Sequence, residues 1–168
     1  MKVSSIYGKK IMSTAGKAGY VVAVSAEGQS LYLTCADRNE KEFFVDMGSV
    51  LSLGDIILYD GTECLSVSAA PIRLGRAGFD TQGNYLGNLE DCTVSGGKLK
   101  TAKIGKKNYP VEGLIWGDVV IVKDLRRLNS DVVKDGVTLF KRGTYLTEDV
   151  LSEAASACEY VQTTLKSL

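Results

Sequence analysis

The chain has 168 residues with 20 basic and 20 acidic side chains, so its formal net charge at pH 7 is zero. A neutral molecule has no overall field that would recruit nucleic acid or an anionic membrane. Its hydrophobic fraction of 45% and charged fraction of 24% are typical of a globular protein. The absence of histidine removes the commonest general base, the His-dependent triads and the most frequent metal ligand. Composition therefore favours a protein that is not an enzyme and holds no metal or cofactor.

The first ten residues are charged and lack the apolar core of a secretory signal. No apolar run approaches the roughly 20 residues needed to span a bilayer, so we expect a cytoplasmic protein without membrane contact. Four cysteines lie far apart and form no Cys-x-x-Cys pair: Cys35, Cys64, Cys92 and Cys158. Their even number allows disulfides, but reduced and mostly buried thiols are favoured in a chain without an export signal.

Three sequence blocks occur twice in the same order. The first copy carries residues 14–22, 41–46 and 54–58, and the second carries residues 81–89, 107–112 and 117–121. The repeat aligns the residues of the turns, namely Gly16 with Gly83, Gly19 with Gly87, and Gly54-Asp55 with Gly117-Asp118. Three blocks in register predict an internal duplication.

Each copy predicts four short strands joined by glycine turns. The predicted strands are residues 19–26, 30–36, 42–46 and 56–59 in the first copy, and 87–94, 98–104, 108–112 and 119–123 in the second. Leu31, Leu33 and Cys35 alternate with the residues between them, the period-two pattern of a strand with one buried face. Such short, closely spaced strands favour a small barrel.

We therefore predict a mainly β fold of two tandem small β-barrels that pack closely against each other. The first barrel covers residues 1–62, the second covers residues 72–124, and a hairpin with a C-terminal α-helix covers residues 131–168. The repeat also predicts matched core positions, with Val45 aligned to Val111 and Ile57 to Val120. The strand at 56–59 is apolar enough to be buried on both faces.

The repeated motif is a glycine turn followed by a second glycine that leads into an apolar strand. It lies at residues 11–22, with 43–46 and Gly54-Asp55 following, and recurs from residue 79 to Gly117-Asp118. Over residues 3–124 the chain resembles the PRC-barrel, the small β-barrel of photosynthetic reaction-centre H subunits and of the C-terminal part of the ribosome-maturation factor. The resemblance implies a fold and a role in holding macromolecular assemblies together, with no catalytic residues. The membrane helix of the first protein and the N-terminal domain of the second have no counterpart, so neither specific role transfers.

The C-terminal part predicts a hairpin around Asp135-Gly136 and a helix whose N-cap is Thr147. Six residues recur at three- and four-residue intervals and form one helical stripe: Leu151, Ala154, Cys158, Val161, Leu165 and Leu168. One interpretation is a seam that pairs two molecules in a homodimer. The favoured alternative is a helix packed on its own barrel, because the stripe is under three heptads long and contains Ala and Cys.

Five lysines fall within ten residues of the second copy: Lys98, Lys100, Lys103, Lys106 and Lys107. They are a candidate contact for RNA phosphates or for an acidic partner. The favoured alternative is that they protect a strand edge from aggregation. The function predicted from the sequence is a non-catalytic protein-binding or scaffolding module with an unidentified protein partner. The alternative is an RNA- or ribosome-associated assembly factor that uses the lysine-rich hairpin.

Overall fold

The structure is a computed structural model that describes residues 1–124 and 126–157. The chain divides into two compact units, Met1–Val122 and Lys123–Leu168. The described residues form two mixed β-sheets in the first unit, and a two-stranded sheet with one α-helix in the second. The predicted mainly β composition with a C-terminal helix is confirmed.

The first sheet has six strands on one path and a short seventh strand beside it. The strands are β1 (Lys10–Ser13), β2 (Ala18–Glu27), β3 (Ser30–Ala36), β4 (Glu42–Asp46), β5 (Val50–Leu53), β6 (Ile57–Tyr59) and β7 (Ala70–Pro71). Their spatial order is β4-β3-β2-β1-β6-β5, and β7 pairs with β2. All pairs are antiparallel except β1 with β6, which run parallel with Ile11 opposite Ile57.

The second sheet repeats this path. Its strands are β8 (Ala77–Asp80), β9 (Tyr85–Ser95), β10 (Lys98–Ile104), β11 (Lys107–Pro110), β12 (Leu114–Ile115) and β13 (Val120–Val122). Their order is β11-β10-β9-β8-β13-β12, and the parallel pair is β8 with β13, with Gly78 opposite Val120. Within residues 1–124 no ladder joins β4 to β5 or β11 to β12, so neither sheet is closed into a barrel by its end strands.

Backbone contacts outside the ladders also match between the sheets. Gly8 N donates to Val21 O at 2.8 Å, and Gly75 N donates to Leu89 O at 2.7 Å. In return, Val21 N donates to Lys9 O at 2.9 Å, and Leu89 N donates to Arg76 O at 2.7 Å. Each sheet thus begins with the same turn held against its long second strand.

The predicted alignment of Val45 with Val111 is wrong by two residues. Val45 lies opposite Leu33, and Tyr109 lies opposite Ala102, at the same ladder distance from the register shift in each sheet. Val45 therefore corresponds to Tyr109, and Val111 begins a short 3-10 helix, Val111–Gly113, which matches Met47–Ser49. An offset of two keeps a strand residue on the same face. Val45, Val111, Ile57 and Val120 are accordingly all buried, as predicted.

The segment before each sheet pairs with the long second strand of the other sheet. Val94 N donates to Met1 O at 2.7 Å, and Lys2 forms a bridge with Thr93 of β9. In the reciprocal position β7 pairs with β2, and Ile72 N donates to Val24 O at 2.8 Å. One continuous cluster of buried apolar side chains contains residues of both sheets. The two sheets therefore share a single core.

The second unit begins with a hairpin of β14 (Val132–Lys134) and β15 (Val137–Phe140). Asp135 and Gly136 both have positive φ, as the predicted Asp-Gly turn requires. The helix α1 (Glu148–Ala157) follows, and Val150 N donates to Thr147 Oγ1 at 3.3 Å, which confirms the predicted N-cap. A small core of its own joins the hairpin to the helix and contains Leu128, Val132, Val150 and Ala154.

Candidate functional site

The cysteines have the environment of structural thiols. Cys35 and Cys92 are buried, Cys64 is half-buried, and all three are free, while Cys158 lies outside the described residues. Burial raises the pKa of the Cys35 and Cys92 thiols to about 12, with smaller contributions from the negative charges of Glu63 and Asp91. A thiol that stays protonated at neutral pH is a poor nucleophile and a poor metal ligand. Across residues 1–124 and 126–157, no group of three His, Cys, Asp or Glu side chains could hold a metal ion.

One polar cluster lies at the end of the first sheet, next to the buried ring of Tyr59. The Tyr59 hydroxyl donates to Glu63 Oε1 at 3.0 Å, and Lys17 Nζ reaches the same oxygen at 2.7 Å. The Lys17 ammonium also lies 4.2 Å from the centroid of the Phe43 ring. Burial, followed by the hydrogen bond to Glu63, raises the pKa of Tyr59. Both contacts of Glu63 go through Oε1, so the cluster fastens the chain after β6 to the turn after β1.

The predicted lysine contact lies on β10 and on the turn that follows it. Lys98, Lys103, Lys106 and Lys107 are exposed, whereas Lys100 is half-buried and has its own interaction. The alternation along β10 is interrupted by a register shift between Leu99 and Thr101. Lys98 and Lys100 therefore do not share an environment, although strict alternation predicted one face for both.

The lysines are spread out and partly neutralised. At about 3.3 Å per residue, the seven residues of β10 separate Lys98 from the far turn by about 20 Å. Lys103 Nζ lies 2.6 Å from Glu90 Oε2 on the adjacent strand. Lys106 and Lys107 are neighbours in the turn region at one end, and Lys98 stands at the other. The arrangement is a row along a strand and not a single focus of positive charge.

Two of the six residues of the predicted helical stripe fall in the described part of α1. Ala154 is fully buried in the core of the second unit, together with Val150, whereas Leu151 is exposed. Cys158, Val161, Leu165 and Leu168 lie outside the described residues. In the described turns, the face that packs on the hairpin is thus formed by Val150 and Ala154, four residues apart.

The end strand β5 and its partner β6 form a hairpin, 50–59, which we call the first edge hairpin. Leu51 is 59% exposed and Ile56 is 40% exposed, on either side of the exposed Gly54-Asp55 turn. The prediction that the strand at 56–59 is buried on both faces is wrong. Ile57 and Tyr59 are buried, but Leu58 is half-buried and Ile56, which precedes the ladder, is exposed. Lys9 Nζ donates a hydrogen bond to Gly54 O and so links the turn to the chain just before β1.

The second edge hairpin, 114–122, has similar features, although only Val119 and Ile56 match: Ile115 lies opposite Ile121 and corresponds to Ser52, which lies opposite Leu58. Ile115 is 49% exposed and Val119 is 37% exposed, on either side of Gly117-Asp118. Arg76 donates to Gly117 O and takes the place of the Lys9 clamp. Within the described residues neither Asp55 nor Asp118 has an ion-pair partner. The sequence contains a signal for these surfaces, a Gly-Asp turn with aliphatic neighbours in both copies. The predicted strands 56–59 and 119–123 include Ile56 and Val119, whereas no prediction covers Leu51 or Ile115.

No helix among residues 1–124 and 126–157 is long and apolar enough to cross a membrane. No protein-family model matches the chain. A search of curated proteins finds no match either.

Proposed function

We propose that the chain is a non-catalytic scaffolding protein, built from two copies of one PRC-like β module, which binds protein partners through its edge hairpins. The observation that carries this proposal is that each edge hairpin exposes aliphatic residues on both sides of its Gly-Asp turn, Leu51 and Ile56 on one sheet and Ile115 and Val119 on the other. The matched strand order, parallel pair and clamped turn support the duplication.

Exposed aliphatic residues are common singly, but here one lies before and one lies after the Gly-Asp turn in both edge hairpins. Docking would remove the aliphatic pair from water at about 25 cal/mol per Å² of apolar area. The Asp55 and Asp118 carboxylates beside these residues would select a partner with a basic group at the rim. Two such surfaces on one shared core would allow two partner molecules, or two sites on one partner, to bind together.

The second candidate is RNA binding, and one observation favours it. Lys98, Lys106 and Lys107 are exposed, and none of them has an ion pair within the described residues. Such contacts would be independent of nucleotide sequence and would weaken strongly with salt. The pairing of Lys103 with Glu90 and the row-like spacing make this candidate the weaker one.

The test is affinity capture from a native lysate with the wild type and three variants, each with and without RNase. The double variant Leu51→Glu/Ile115→Glu changes both edge hairpins, and Leu139→Glu changes a comparably exposed aliphatic residue on β15 as the matched control. The third variant, Lys98→Glu/Lys106→Glu/Lys107→Glu, replaces the three exposed lysines of this hairpin that have no ion pair in the described part of the chain.

We expect RNase-resistant partners that are lost in the double variant and kept in the Leu139→Glu control. Partners that disappear with RNase and in the lysine variant would replace the proposal with RNA binding. Partners retained equally by all three variants would show that neither surface binds.

A further inference from the structure

The outer face of the second sheet carries a continuous row of apolar side chains. The row crosses four adjacent strands, because each residue lies directly opposite the next in the ladders: Ile115 of β12, Ile121 of β13, Phe79 of β8 and Tyr85 of β9. Residues directly opposite each other on neighbouring strands share one face of a sheet. Tyr85 is 61% exposed and Ile115 is 49% exposed, while Ile121 and Phe79 are half-buried between them. We call these four residues the apolar row.

The row has an aromatic half and an aliphatic half, and two further residues widen it. The rings of Phe79 and Tyr85 meet edge to face, with their centroids 5.7 Å apart. Val119 and Ala77 each lie two positions before a residue of the row, and both are at least half-exposed or half-buried at this surface. None of the six side chains is charged. A continuous exposed apolar area of this kind marks an interaction site.

The matching row of the first sheet does not form such a surface. It consists of Ser52, Leu58, Met12 and Ala18. At its two ends a hydroxyl group and a single methyl group replace the isoleucine and the tyrosine of the second sheet. Lys10, two positions before Met12, also adds a charge on this side. The apolar row is therefore a property of the second sheet alone.

The apolar row is complementary to itself. The parallel strands β8 and β13 lie at its centre, with the aromatic residues on one side and the aliphatic residues on the other. If two copies packed face to face, a two-fold axis parallel to these strands and midway between them would exchange the two halves. Phe79 of one copy would then lie over Ile121 of the other, and Tyr85 over Ile115. Two sheets with aligned strands pack in this way in β-sandwiches.

The residues beside the row fit the same symmetry. Val119 of one copy would lie over the small Ala77 of the other. Asp118 and Arg76 lie level with each other at the rim, because each stands two positions before the first pair of the parallel ladder. The two-fold axis would place Asp118 of each copy next to Arg76 of the other. Arg76 uses one donor on Gly117 O and has further N–H groups for a carboxylate.

We propose that this face binds the same face of a second copy, so that the protein forms a two-fold symmetric dimer with the two apolar rows at its centre. Shape and charge both support this occupant: aromatic residues meet aliphatic ones, a large residue meets a small one, and opposite charges meet twice. The inference rests on the proposed scaffolding function, because it names the partner of the second edge hairpin, to which Ile115 and Val119 belong. The first edge hairpin lies on the other sheet, so a dimer would carry two copies of it for other proteins.

The first experiment measures the mass of the full chain by analytical ultracentrifugation over a range of concentrations. The face is smaller than the interfaces of about 2,000 Å² or more that hold obligate dimers, so we expect a concentration-dependent dimer of twice 18.1 kDa. Tyr85→Glu would bury a charge in the interface and should weaken the dimer about tenfold or more. The matched control is Ala18→Glu, at the corresponding exposed position of the first sheet, which should leave the dimer within about twofold of the wild type. Thermal melting of each variant verifies that it is folded.

The second experiment exchanges the charges at the rim. Asp118→Arg and Arg76→Asp each place like charges opposite each other at both ends of the interface, so each variant alone should dimerise less than the wild type. A mixture of the two variants restores opposite charges at both contacts and should form a heterodimer. A contact within one chain cannot produce this rescue. A mixture that dimerises no better than either variant alone would overturn the inference.

Two further outcomes would also overturn it. A wild type that stays monomeric up to about 0.5 mM has no such interface. A dimer that Tyr85→Glu leaves intact forms through another surface. Because Tyr85 belongs to neither edge hairpin, the lysate capture separates the two proposals. Partners captured by a monomeric wild type would refute the dimer and keep the scaffolding function, whereas a dimer that captures no partner would refute the scaffolding function and keep the interface.

Discussion

The two sheets of Met1–Val122 share a strand order, a parallel pair and a clamped Gly-Asp turn, but different side chains fill corresponding places. At the end of the first parallel pair, Tyr59 lies opposite Ser13 and its hydroxyl donates a hydrogen bond to Glu63. At the same place in the second parallel pair, Val122 lies opposite Asp80. The polar cluster that fastens the first sheet thus has an apolar residue in its place in the second. Backbone topology is the same in both sheets, while the interactions that hold the ends of the strands differ.

The turn after the first strand of each sheet shows how this is possible. Lys17 N donates to Ser13 Oγ at 3.0 Å in the first sheet, and Asn84 N donates to Asp80 Oδ1 at 2.8 Å in the second. A short side chain with one acceptor oxygen is enough to close the turn, so Ser and Asp are interchangeable there. The turn therefore requires a hydrogen-bond acceptor at the position of Ser13 and Asp80, whereas the residues around the turn can differ between the two sheets.

The largest expected effect tests whether the sheets depend on each other. Ile57 and Val120 are fully buried at matching positions of the two parallel pairs. Replacing either with Asp would bury an unpaired charge and lower the free energy of unfolding by about 4 kcal/mol or more. Because the core is shared, each substitution should lower one common melting transition, measured by circular dichroism and calorimetry. Two separate transitions, with only one displaced, would show that the sheets are independent.

A second effect distinguishes the two kinds of glycine in the repeat. Gly87 has a φ of +124°, and an added Cβ would lie 2.6 Å from the Gly105 Cα atom. Gly83 has a φ of +83° but open space around it. Gly87→Ala should therefore cost about 3 kcal/mol or more, and Gly83→Ala about 1 kcal/mol, in urea denaturation. Equal costs for the two variants would mean that the backbone conformation, and not the close approach, decides the effect.

A third effect compares the two clamps on the edge hairpins. Lys9→Ala and Arg76→Ala each remove one charged donor from a turn carbonyl, which should lower the free energy of unfolding by about 1 kcal/mol or less. The effect should be local: amide hydrogen exchange near Asp55 should increase in the first variant and near Asp118 in the second. An increase in both hairpins with either variant would contradict separate clamps.

The smallest effect concerns Asp91, which corresponds to Ala23 in the first sheet and so has no counterpart there. Partial burial raises its pKa, but hydrogen bonds from the Ser4 side chain, Ser4 N and Cys92 N outweigh burial and leave the pKa lowered. A lowered pKa in the folded state stabilises the protein above the unfolded value of about 3.9, and this stability is lost as the pH falls through the folded value.

Asp91→Asn should remove that part of the acid sensitivity, worth less than about 1 kcal/mol after solvent screening. Urea denaturation at pH 6 and at pH 3 measures it. The difference in free energy of unfolding between the two pH values should be smaller in the variant than in the wild type. An unchanged difference would show that the link from Ser4 to β9 does not contribute.

The predicted strands were most accurate where the chain forms local hairpins. The predictions 30–36, 42–46 and 98–104 coincide with β3, β4 and β10, because period-two alternation and glycine turns are local signals. The strands β1, β5, β8 and β12 were not predicted, since they are two to four residues long, and the only parallel pairs join β1 and β8 to distant strands in the described part of the chain. The predicted strand at 108–112 ends at Pro110, where the missing N–H leaves no donor for the ladder and a 3-10 helix begins.

The sequence alone determined the local hairpins, the alternation of buried residues and the N-cap at Thr147, because each depends on residues close together in the chain. Only the tertiary structure decided that Ile56 is exposed and that Lys103 is paired with Glu90. It also decided that the segment before each sheet pairs with the long second strand of the other sheet. These outcomes depend on which distant segments meet.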